Sequence, residues 1–323
     1  FRDFELDNIG QFNLIVGKNN TGKTSLLEAL LVDEDEVRFI RYMSIGVKLR
    51  RKDKVEHALQ YLGRHFSDLI GTGDHIVIEG VVIRPVLEED YEKVSLIEKE
   101  KLLHGREALI VVQEGQTKVV FEEDIIENGK SDGGFYPFIP YGLGFNSNLN
   151  DLYSETIDTN VRRRKQFIHQ LKLFIPTIED VRYAEDNILI YREHEDDPTK
   201  LYTYGEGMNK LFRILCEIAK TANQRLMIDE IDAGIHYTKF KELWKVVMQA
   251  AMEYNVQIFA TTHNEECVNY FQEALEDLKE HQDKGRVIKL YEGKENKLYS
   301  RVYDFKSMQT ALELGHEMRG DWL

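Results

Sequence analysis

One loop constrains the fold of this chain more than any other stretch of the sequence, IVGKNNTGKT at residues 15–24. It has the spacing G-x-x-x-x-G-K-[ST] of a phosphate-binding P-loop at Gly17, Gly22, Lys23 and Thr24. An apolar run ends just before the loop, and the helix-forming run SLLEALL follows just after it. The sequence therefore predicts a buried strand, a phosphate loop and a helix in direct succession.

The residues of this loop suit a nucleotide with a bound metal. Glycines allow the backbone to turn its N–H groups inward, and the start of the following helix adds free N–H donors and a positive dipole end. We expect Lys23 to contact the β- and γ-phosphates and the hydroxyl of Thr24 to bind Mg²⁺.

Composition narrows the class of protein further. The chain has 323 residues, 42% of them hydrophobic, which is enough for one large domain or two ordinary ones. A formal charge of −15 disfavours non-specific binding to nucleic acid or an anionic membrane. Two cysteines, Cys216 and Cys267, favour a reducing compartment, the cytoplasm, and provide no zinc spacing. We expect no membrane span, and the natural chain is expected to start before Phe1.

The first half of the chain mixes several patterns. Strands are predicted at Phe4–Leu6 and Phe12–Val16, and the helix after the P-loop runs to about Val32. The next residues, to 65, are highly charged and favour helix, and 127–150 resemble a loop. Between them come the strand run HIVIEGVVIR and a hairpin, EALIVVQEGQTKVVFEED, with Glu114 and Gly115 at its turn.

The second half alternates between strands and helices. A helix containing NVRRRKQFIHQLKLF leads to two short strands, at 178–184 and 187–192. The pattern then predicts helix 206–221, strand 225–229, helix 238–253, strand 256–260 and helix 264–279. Such alternation is typical of a parallel α/β sheet. We expect a first core segment with the P-loop at 1–32, an insertion with an antiparallel β lobe at 33–134, a helical segment at 135–190 and a second core segment at 191–323.

Two acidic residues end one of the predicted strands. In RLMIDEIDAGIH, Asp229 and Glu230 follow an apolar run, and ligands bind at the carboxyl edge of parallel sheets. We expect Asp229 to associate with Mg²⁺ and Glu230 to polarise an attacking water beside the γ-phosphate. The alternative is that the two acids only lead the strand into a solvated loop.

A histidine ends the next strand, in QIFATTHNEE, where His263 could hydrogen-bond a γ-phosphate or the attacking water. A glycine-rich turn, Gly205-Glu206-Gly207, opens the helix predicted at 206–221 and exposes N–H donors suited to an anion. Because the P-loop already holds one nucleotide, we expect this turn to reach the nucleotide of a second copy. The alternatives are a surface histidine and an ordinary helix start.

The four motifs, in this order, resemble those of ABC-type ATPases. They are most similar to the SMC/RecF/OLD-like branch, the stand-alone AAA-family ATP-binding proteins of bacteria, which LKLFIPTIEDV and YDF…ALELGHEMR also resemble. The resemblance covers about residues 1–32 and 135–323, and none is recognised for 33–134. It implies an α/β P-loop NTPase fold of ABC-ATPase type, with a mixed central sheet, an antiparallel β subdomain and a helical/β insertion.

The resemblance also implies a set of site residues. The phosphate loop corresponds to Gly17, Asn19, Asn20, Gly22, Lys23, Thr24 and Ser25. The signature corresponds to Thr203, Gly205, Glu206 and Gly207, where Thr203 keeps the hydroxyl of the family's frequent serine. Asp229 corresponds to the Mg²⁺ residue, Glu230 to the catalytic base, Asp232–His236 to the dimer-interface loop and His263 to the switch histidine. No Gln-loop is recognisable after the first helix.

Proteins of this branch bind ATP and Mg²⁺ and dimerise head-to-tail around the nucleotide, which implies a homodimer or a higher homo-oligomer here. Three functions then remain open: a regulatory ATPase of a separate effector protein, a DNA repair or maintenance ATPase that clamps DNA, and an OLD-like nuclease. A nuclease TOPRIM domain needs about 100 residues, and only about 20 follow the last strand.

A DNA clamp needs a basic surface, for which VRRRK (161–165) and VKLRRKDK (47–54) are the candidates. Such runs are more often solvated helix faces. We therefore favour the regulatory ATPase, paired with a nuclease or toxin as in bacterial anti-phage systems. In this reading nucleic acid is not a required partner, and no membrane is involved.

Overall fold

The structure is a computed structural model that describes residues 4–19, 21–31, 38, 40, 42, 76–78, 81–104, 108–113, 115–121, 123, 124, 127, 137–141, 148–293, 297–316 and 318. The chain divides into two compact units. The first contains Phe1–Leu27 and Pro137–Leu323, and the second contains Glu28–Tyr136. The four segment boundaries proposed from the sequence stay a prediction.

The described residues form thirteen strands and eight α-helices. The strands are β1 (Phe12–Val16), β2 (Ile76–Ile78), β3 (Val81–Pro85), β4 (Ala108–Gln113), β5 (Gln116–Phe121), β6 (Phe138–Ile139), β7 (Ile178–Ala184), β8 (Asn187–Arg192), β9 (Thr199–Lys200), β10 (Arg225–Ile228), β11 (Gln257–Thr261), β12 (Gly285–Glu292) and β13 (Leu298–Tyr303). The helices are α1 (Lys23–Ala29), α2 (Leu96–Leu103), α3 (Asn148–Tyr153), α4 (Val161–Leu171), α5 (Glu206–Lys220), α6 (Phe240–Glu253), α7 (Glu265–Asp277) and α8 (Phe305–Glu313).

A six-stranded sheet in the order β13-β12-β1-β11-β10-β6 forms the centre of the first unit. Neighbouring strands are parallel except for β12 and β13, which are antiparallel. All five residues of β1 are buried, as expected for a strand covered on both faces. The predicted mixed central sheet is confirmed, and so are the strands at Phe12–Val16 and in the alternating second half.

Strand register brings three loops to one edge of this sheet. Ile15 of β1 pairs with Thr261 of β11, and Ile228 of β10 pairs with Ala260. Because all three strands run in the same direction, their carboxyl ends meet at the same edge. The P-loop, the Asp229-Glu230 pair and the segment after Thr261 therefore leave the sheet side by side.

One hydrophobic core joins the sheet to α5, α6 and α7. Within it, Trp244 of α6 packs edge-on against Phe271 of α7, with ring centroids 4.7 Å apart. Its indole N–H donates to the main-chain oxygen of Cys267 at 3.1 Å, so the buried polar atom has a partner. Cys216 and Cys267 are both buried free thiols, and burial raises the pKa of each.

A smaller sheet, β7-β8-β9, lies in the same unit. Helices α3 and α4 pack beside it through an aromatic cluster, in which Phe167 lies 5.4 Å from Tyr153 and 5.1 Å from Phe212 of α5 between ring centroids. The hydroxyl of Tyr153 donates to the main-chain oxygen of Val181 at 3.0 Å. These contacts fix the segment before α5 and thus the start of that helix.

The second unit contains the antiparallel sheet β2-β3-β4-β5 and α2. The predicted hairpin is confirmed, with Gln113 paired to Gln116 across the turn, although Glu114 lies outside the described residues. Leu102, Ile110, Val119 and Phe121 form its core cluster. The Arg84 guanidinium contacts both oxygens of Asp90, at 2.5 and 2.6 Å, and these hydrogen bonds lower the pKa of that carboxyl.

One predicted strand is wrong. Residues Phe4–Leu6 form no strand in the structure. The contact described there is between a side chain and the main chain, because the Ser300 hydroxyl donates to the main-chain oxygen of Glu5 at 3.2 Å. Alternating apolar and acidic residues gave the strand pattern, but such a pattern does not by itself form a strand, because strand formation also depends on pairing with a neighbouring strand. No described helix has both the length and the apolar character needed to cross a membrane.

Candidate functional site

The P-loop begins where β1 ends and lies against the neighbouring strand β12. Gly17 is buried, and a Cβ atom at this position would come within 2.7 Å of the main-chain oxygen of Leu290 and 2.8 Å of the Thr21 hydroxyl. Gly22 has a φ of +78°, a conformation that glycine adopts at little cost. The local backbone therefore favours glycine at both of these motif positions, and the loop makes a tight turn before α1.

Lys23, the first residue of α1, folds back over the loop. Its Nζ donates to the main-chain oxygens of Gly17 and Lys18, both at 2.9 Å. Burial lowers the pKa of Lys23, while the negative charges of Glu230 and Asp229 oppose that shift. The ammonium group is therefore held over the loop backbone, within the electrostatic reach of the two acids on β10's carboxyl end.

Thr24 and Asp229 form the pair that fits a magnesium ion. The Thr24 hydroxyl donates to the Asp229 carboxylate, with Oγ1 3.2 Å from Oδ1 and 3.1 Å from Oδ2. Mg²⁺ prefers such hard oxygen ligands and in nucleotide sites takes only one or two from the protein. The donor set of this pair therefore fits Mg²⁺, with Thr24 from α1 and Asp229 from the end of β10.

Glu230 occupies a constrained turn beside this pair. Its φ is +46°, a left-handed conformation that is uncommon outside glycine. The Glu230 N–H donates to the Thr261 hydroxyl at 2.8 Å, and that hydroxyl in turn donates to Asp229 Oδ1 at 2.7 Å. Thr261 therefore fixes the relative position of the two acidic residues.

His263 lies at the exposed side of the same site. Its Nδ1 is 3.4 Å from Glu230 Oε1, and its side chain is 54% exposed, so solvent reaches the pair. The segment before it is anchored because the Thr262 hydroxyl donates to Asp232 Oδ1 at 2.7 Å. The Thr262 hydroxyl also accepts the Asn264 N–H at 3.0 Å. The carboxylate of Glu230 and the imidazole of His263 thus lie next to each other at a solvent-accessible position.

The predicted signature residues lie at the start of α5. Gly205 is the N-cap residue of α5, and Thr203 ends a short 3₁₀ turn, where its hydroxyl donates to the main-chain oxygen of Lys200 at 2.7 Å. Thr203, Gly205 and Glu206 are exposed. Gly207 is packed more closely, because a Cβ there would come within 2.4 Å of the main-chain oxygen of Gly234.

Seven of the predicted site residues are brought to one edge of the sheet, namely Gly17, Gly22, Lys23, Thr24, Asp229, Glu230 and His263. Asn19 and Ser25 lie in the loop and in α1, and Asn20 lies outside the described residues. Sequence reasoning missed Thr261 as the link between the acids. It also missed Lys210 of α5, whose Nζ donates to the main-chain oxygen of Glu230. A lysine within an otherwise buried helix was the available signal.

Comparison with known protein families gives a match to part of the chain. Residues 116–268 match the family described as AAA ATPase domain, AAA_15. The matched stretch contains the signature, Asp229, Glu230 and His263, and it excludes the P-loop. It also begins inside the segment for which the sequence suggested no resemblance.

Several individual proteins are similar to this chain, among them the following three. An "ATP/GTP phosphatase" of Helicobacter pylori is 20% identical over 320 residues, covering 86% of each chain. An uncharacterised protein of Methanocaldococcus jannaschii is 28% identical over 117 residues, covering 36% of this chain and 99% of its own length. A crystal structure of an SMC head bound to the C-winged helix domain of ScpA superposes with a TM-score of 0.50 at 12% identity, covering 93% of this chain and 92% of that one.

The fold and the site together define the class of protein. The structure has the P-loop fold of an SMC head, which agrees with the fold class that the motifs predicted. An AAA ATPase domain match lies across the signature, the acidic pair and the histidine. The chain therefore combines the fold of an SMC head with a stretch, residues 116–268, that is similar to the AAA ATPase domain family.

Proposed function

We propose that this chain hydrolyses ATP in the presence of Mg²⁺. The observation that carries the proposal is the convergence of Lys23, Thr24, Asp229 and Glu230, with the Thr24 hydroxyl 3.1 Å from the Asp229 carboxylate. The match to an AAA ATPase domain supports it, as does the name of the Helicobacter pylori relative, an "ATP/GTP phosphatase". ATP is the first substrate to test, with GTP beside it.

In this mechanism the protein binds the nucleotide, orients the attacking water and accepts a proton from that water. The P-loop N–H groups and Lys23 bind the phosphates, for which Lys23 leaves the Gly17 and Lys18 carbonyls. The water oxygen bonds to the γ-phosphorus, the bond to the β,γ-bridging oxygen breaks, and Glu230 takes the proton of the water. ADP and phosphate are the products. Thr24 and Asp229 would hold Mg²⁺, which would neutralise phosphate charge.

We assign His263 to orienting the same water or the γ-phosphate. Its Nδ1 faces Glu230 Oε1 at 3.4 Å, and its exposed side chain can turn toward a ligand. Hydrogen bonds made only in the transition state accelerate hydrolysis, so a movable donor at this place suits the reaction.

The proposed assembly is a homodimer, or a larger homo-oligomer, with nucleotide between two copies. Thr203, Gly205 and Glu206 are exposed at the start of α5, where they are free to contact the nucleotide held by the P-loop of a second copy. Binding of nucleotide would close the dimer, and hydrolysis would open it. The output of the cycle is then a conformational state.

We further propose that this state regulates a separate effector protein, a nuclease or toxin, in bacterial anti-phage defence. The resemblance to the SMC/RecF/OLD-like branch supplies this setting. The net charge of −15 suits contact with a basic partner, because complementary charge speeds encounter and disfavours wrong partners. The cytoplasm, where thiols remain reduced, suits the two free cysteines.

The alternative, an ATPase that clamps DNA, has less support. Two arginines of the basic run on α4 are engaged within the chain, since Arg163 donates to the main-chain oxygen of Thr156 at 3.2 Å and Arg164 pairs with Asp158 at 3.3 Å. Arginine side chains that already bind groups within the chain contribute less to binding the phosphates of DNA. The second basic run, 47–54, lies outside the described residues.

The test of hydrolysis compares the wild-type protein with Glu230→Gln, using ATP and GTP, with and without Mg²⁺. We expect Glu230→Gln to lower kcat by roughly 10²–10⁴-fold, the usual contribution of a general base. Nucleotide binding should persist, because the phosphate loop is unchanged. Glu179→Gln, an exposed acid on β7, is the matched control and should hydrolyse at the wild-type rate. Equal rates for wild type and Glu230→Gln would overturn the assignment of the base.

A further inference from the structure

Lys210 is a buried cation one turn into α5. It is 5% exposed, and a buried ammonium group is costly unless it is hydrogen-bonded. Its Nζ donates to the main-chain oxygen of Glu230, which also accepts the Ala233 N–H at 3.0 Å. The partner of this lysine is therefore the backbone of the turn that carries the proposed base.

The backbone of Glu230 is held from both sides. Its N–H group is bonded to Thr261 at 2.8 Å, and its carbonyl group is bonded to Lys210. The left-handed conformation of this residue, with φ of +46°, is unfavourable for a residue with a side chain. Such a conformation persists only where surrounding contacts impose it. Thr261 and Lys210 are two contacts that do so, and the direction of the Glu230 side chain depends on them.

Charge also places Lys210 with the active-site acids. The negative charges of Asp232, Glu230 and Asp229 favour its protonated form, while burial has the larger effect and lowers the pKa of Lys210 to about 8. The cation thus offsets an excess of negative charge at the end of β10. Removing this cation would increase the electrostatic repulsion among those three acids.

A second contact joins the same two elements. Gly207, in the first turn of α5, packs so closely on Gly234 that a Cβ atom would lie 2.4 Å from the Gly234 oxygen. Gly234 itself has a φ of +77°. The first turn of α5 and the turn from Asp229 to Ile235 therefore touch at both ends, through Lys210 at one end and Gly207 at the other.

We propose that Lys210 is a positioning residue for nucleotide hydrolysis, which holds Glu230 in place and links its backbone to the signature end of α5. The inference rests on the proposed function, in which Glu230 is the base and the start of α5 contacts the nucleotide of a second copy. A contact between the start of α5 and the nucleotide of the second copy would then affect the position of Glu230 in the same chain as that helix. Lys210 acts through Glu230 and does not itself touch the substrate.

The first test is Lys210→Met, which keeps the length of the side chain and removes its donor. We expect kcat to fall roughly ten- to a hundredfold, the cost of losing one charge-assisted bond in a catalytic arrangement. KM and the affinity for a fluorescent ATP analogue should change less than about twofold, since the phosphate loop is untouched. Lys220→Met, at the far end of the same helix, is the matched control and should keep the wild-type kcat. Lys210→Arg, which restores a cationic donor, should recover part of the lost rate.

A double-variant cycle separates positioning from general destabilisation. If Lys210 acts through Glu230, then Lys210→Met should cause no further loss when added to Glu230→Gln in single-turnover assays. An equal fold-loss in both backgrounds would overturn the proposal, as would a wild-type kcat in Lys210→Met. Should Lys210→Met fail to fold, Lys210→Gln, which keeps an N–H donor without the charge, undergoes the same cycle with the same criteria. If the wild-type protein does not hydrolyse ATP or GTP, the proposed function fails, and if Glu230→Gln alone hydrolyses ATP at the wild-type rate, the assignment of the base fails. Both results are distinct from failure of the Lys210 assignment.

Discussion

At the scale of single residues, the hydroxyl of Thr24 is the most direct test of the metal site. It lies 3.1 Å from Asp229 Oδ2, and the two groups supply the oxygen ligands that Mg²⁺ prefers. Thr24→Val keeps the shape of the side chain and removes the hydroxyl. We predict that the Mg²⁺ concentration needed for half-maximal hydrolysis rises at least about tenfold, the loss of roughly one good ligand contact. The measurement is an Mg²⁺ titration of the ATPase rate.

Thr24→Ser is the matched control for that titration, because it retains the hydroxyl. Its Mg²⁺ requirement should stay close to that of the wild-type protein. If Thr24→Val and Thr24→Ser behaved alike, the hydroxyl would have no part in binding the metal, and the Thr24–Asp229 pair would only stabilise the fold.

Lys210 gives a prediction about stability and pH. Burial lowers its pKa to about 8, whereas an unfolded chain holds a lysine near its ordinary value of about 10.4. Between these values the unfolded chain binds more protons, so this residue makes the free energy of unfolding rise with pH. The rise from pH 8 to pH 10 should be on the order of 2 kcal/mol. Denaturant unfolding at each pH measures it.

The comparison for this pH series is Lys210→Met, which has no group to titrate there. The difference in unfolding free energy between wild type and variant should grow in favour of the wild type as pH rises from about 8 to about 10. Tyrosines that titrate in the same range are common to both proteins and cancel. A constant difference across the range would show that folding does not lower the pKa of Lys210.

Residue types at fixed spacing made part of the site predictable. The P-loop residues and the Asp229-Glu230 pair form short sequence patterns with a chemical meaning, so they were visible without a structure. Thr261 and Lys210 were not, because each acts through a partner that is distant in the sequence. Their roles follow from strand register and helix packing, which no local pattern encodes.

At the scale of elements, the start of α5 contains two glycines with different surroundings. A Cβ atom at Gly205 would have no neighbour within 4 Å, while one at Gly207 would lie 2.4 Å from the main-chain oxygen of Gly234. We predict that Gly207→Ala lowers the free energy of unfolding by roughly 2–3 kcal/mol, since backbone must move to accept the methyl group. Gly205→Ala should cost less than about 1 kcal/mol, the effect of a weaker N-cap. Thermal or denaturant unfolding of both variants checks the difference.

The two variants also separate stability from assembly. Gly205 is exposed and proposed to contact the nucleotide of a second copy, so Gly205→Ala should fold well and yet dimerise less with ATP. Equal destabilisation by both substitutions would contradict the close packing of α5 on the turn at Gly234.

Elements with strong periodicity were predictable, and short or weakly patterned ones were not. Helices α5, α6 and α7 and strands β10 and β11 followed from the alternation of apolar runs. Strand β6 has only two residues, Phe138 and Ile139, and pairs with Met227 and Ile228, too short a run to show a pattern. The segment Phe4–Leu6 has strand-like alternation but is not a strand in the structure, because strand formation depends on pairing with a neighbour as well as on the segment's own sequence.

At the scale of the whole molecule, the order of the strands in the central sheet could not be predicted from local sequence patterns. Strand β1, near the start of the chain, lies between β11 and β12, which come more than 200 residues later. Periodicity predicts that such strands exist and are buried, and it carries no information about which of them are neighbours. The family resemblance supplied the ABC-type fold class, and the structure supplies the register that joins the P-loop to Asp229.

The same register explains why the molecule is proposed to work as an assembly. The P-loop and the acidic pair share one sheet edge, while Gly205 and Glu206 at the start of α5 are exposed. A second copy would complete the site from outside. Closure around nucleotide then depends on two chains, and the rate of opening depends on Glu230.

The most direct measurement is the mass of the purified protein in solution, with and without Mg²⁺-ATP, for wild type, Glu230→Gln and Lys23→Met. The proposed function predicts that ATP converts monomers into dimers or larger assemblies, most persistently in Glu230→Gln, where hydrolysis is slowed. Lys23→Met, which lacks the phosphate-binding ammonium, should remain unchanged in mass. If ATP binds to the wild-type protein and Glu230→Gln without changing the mass of either, the account of a nucleotide enclosed between two copies is contradicted.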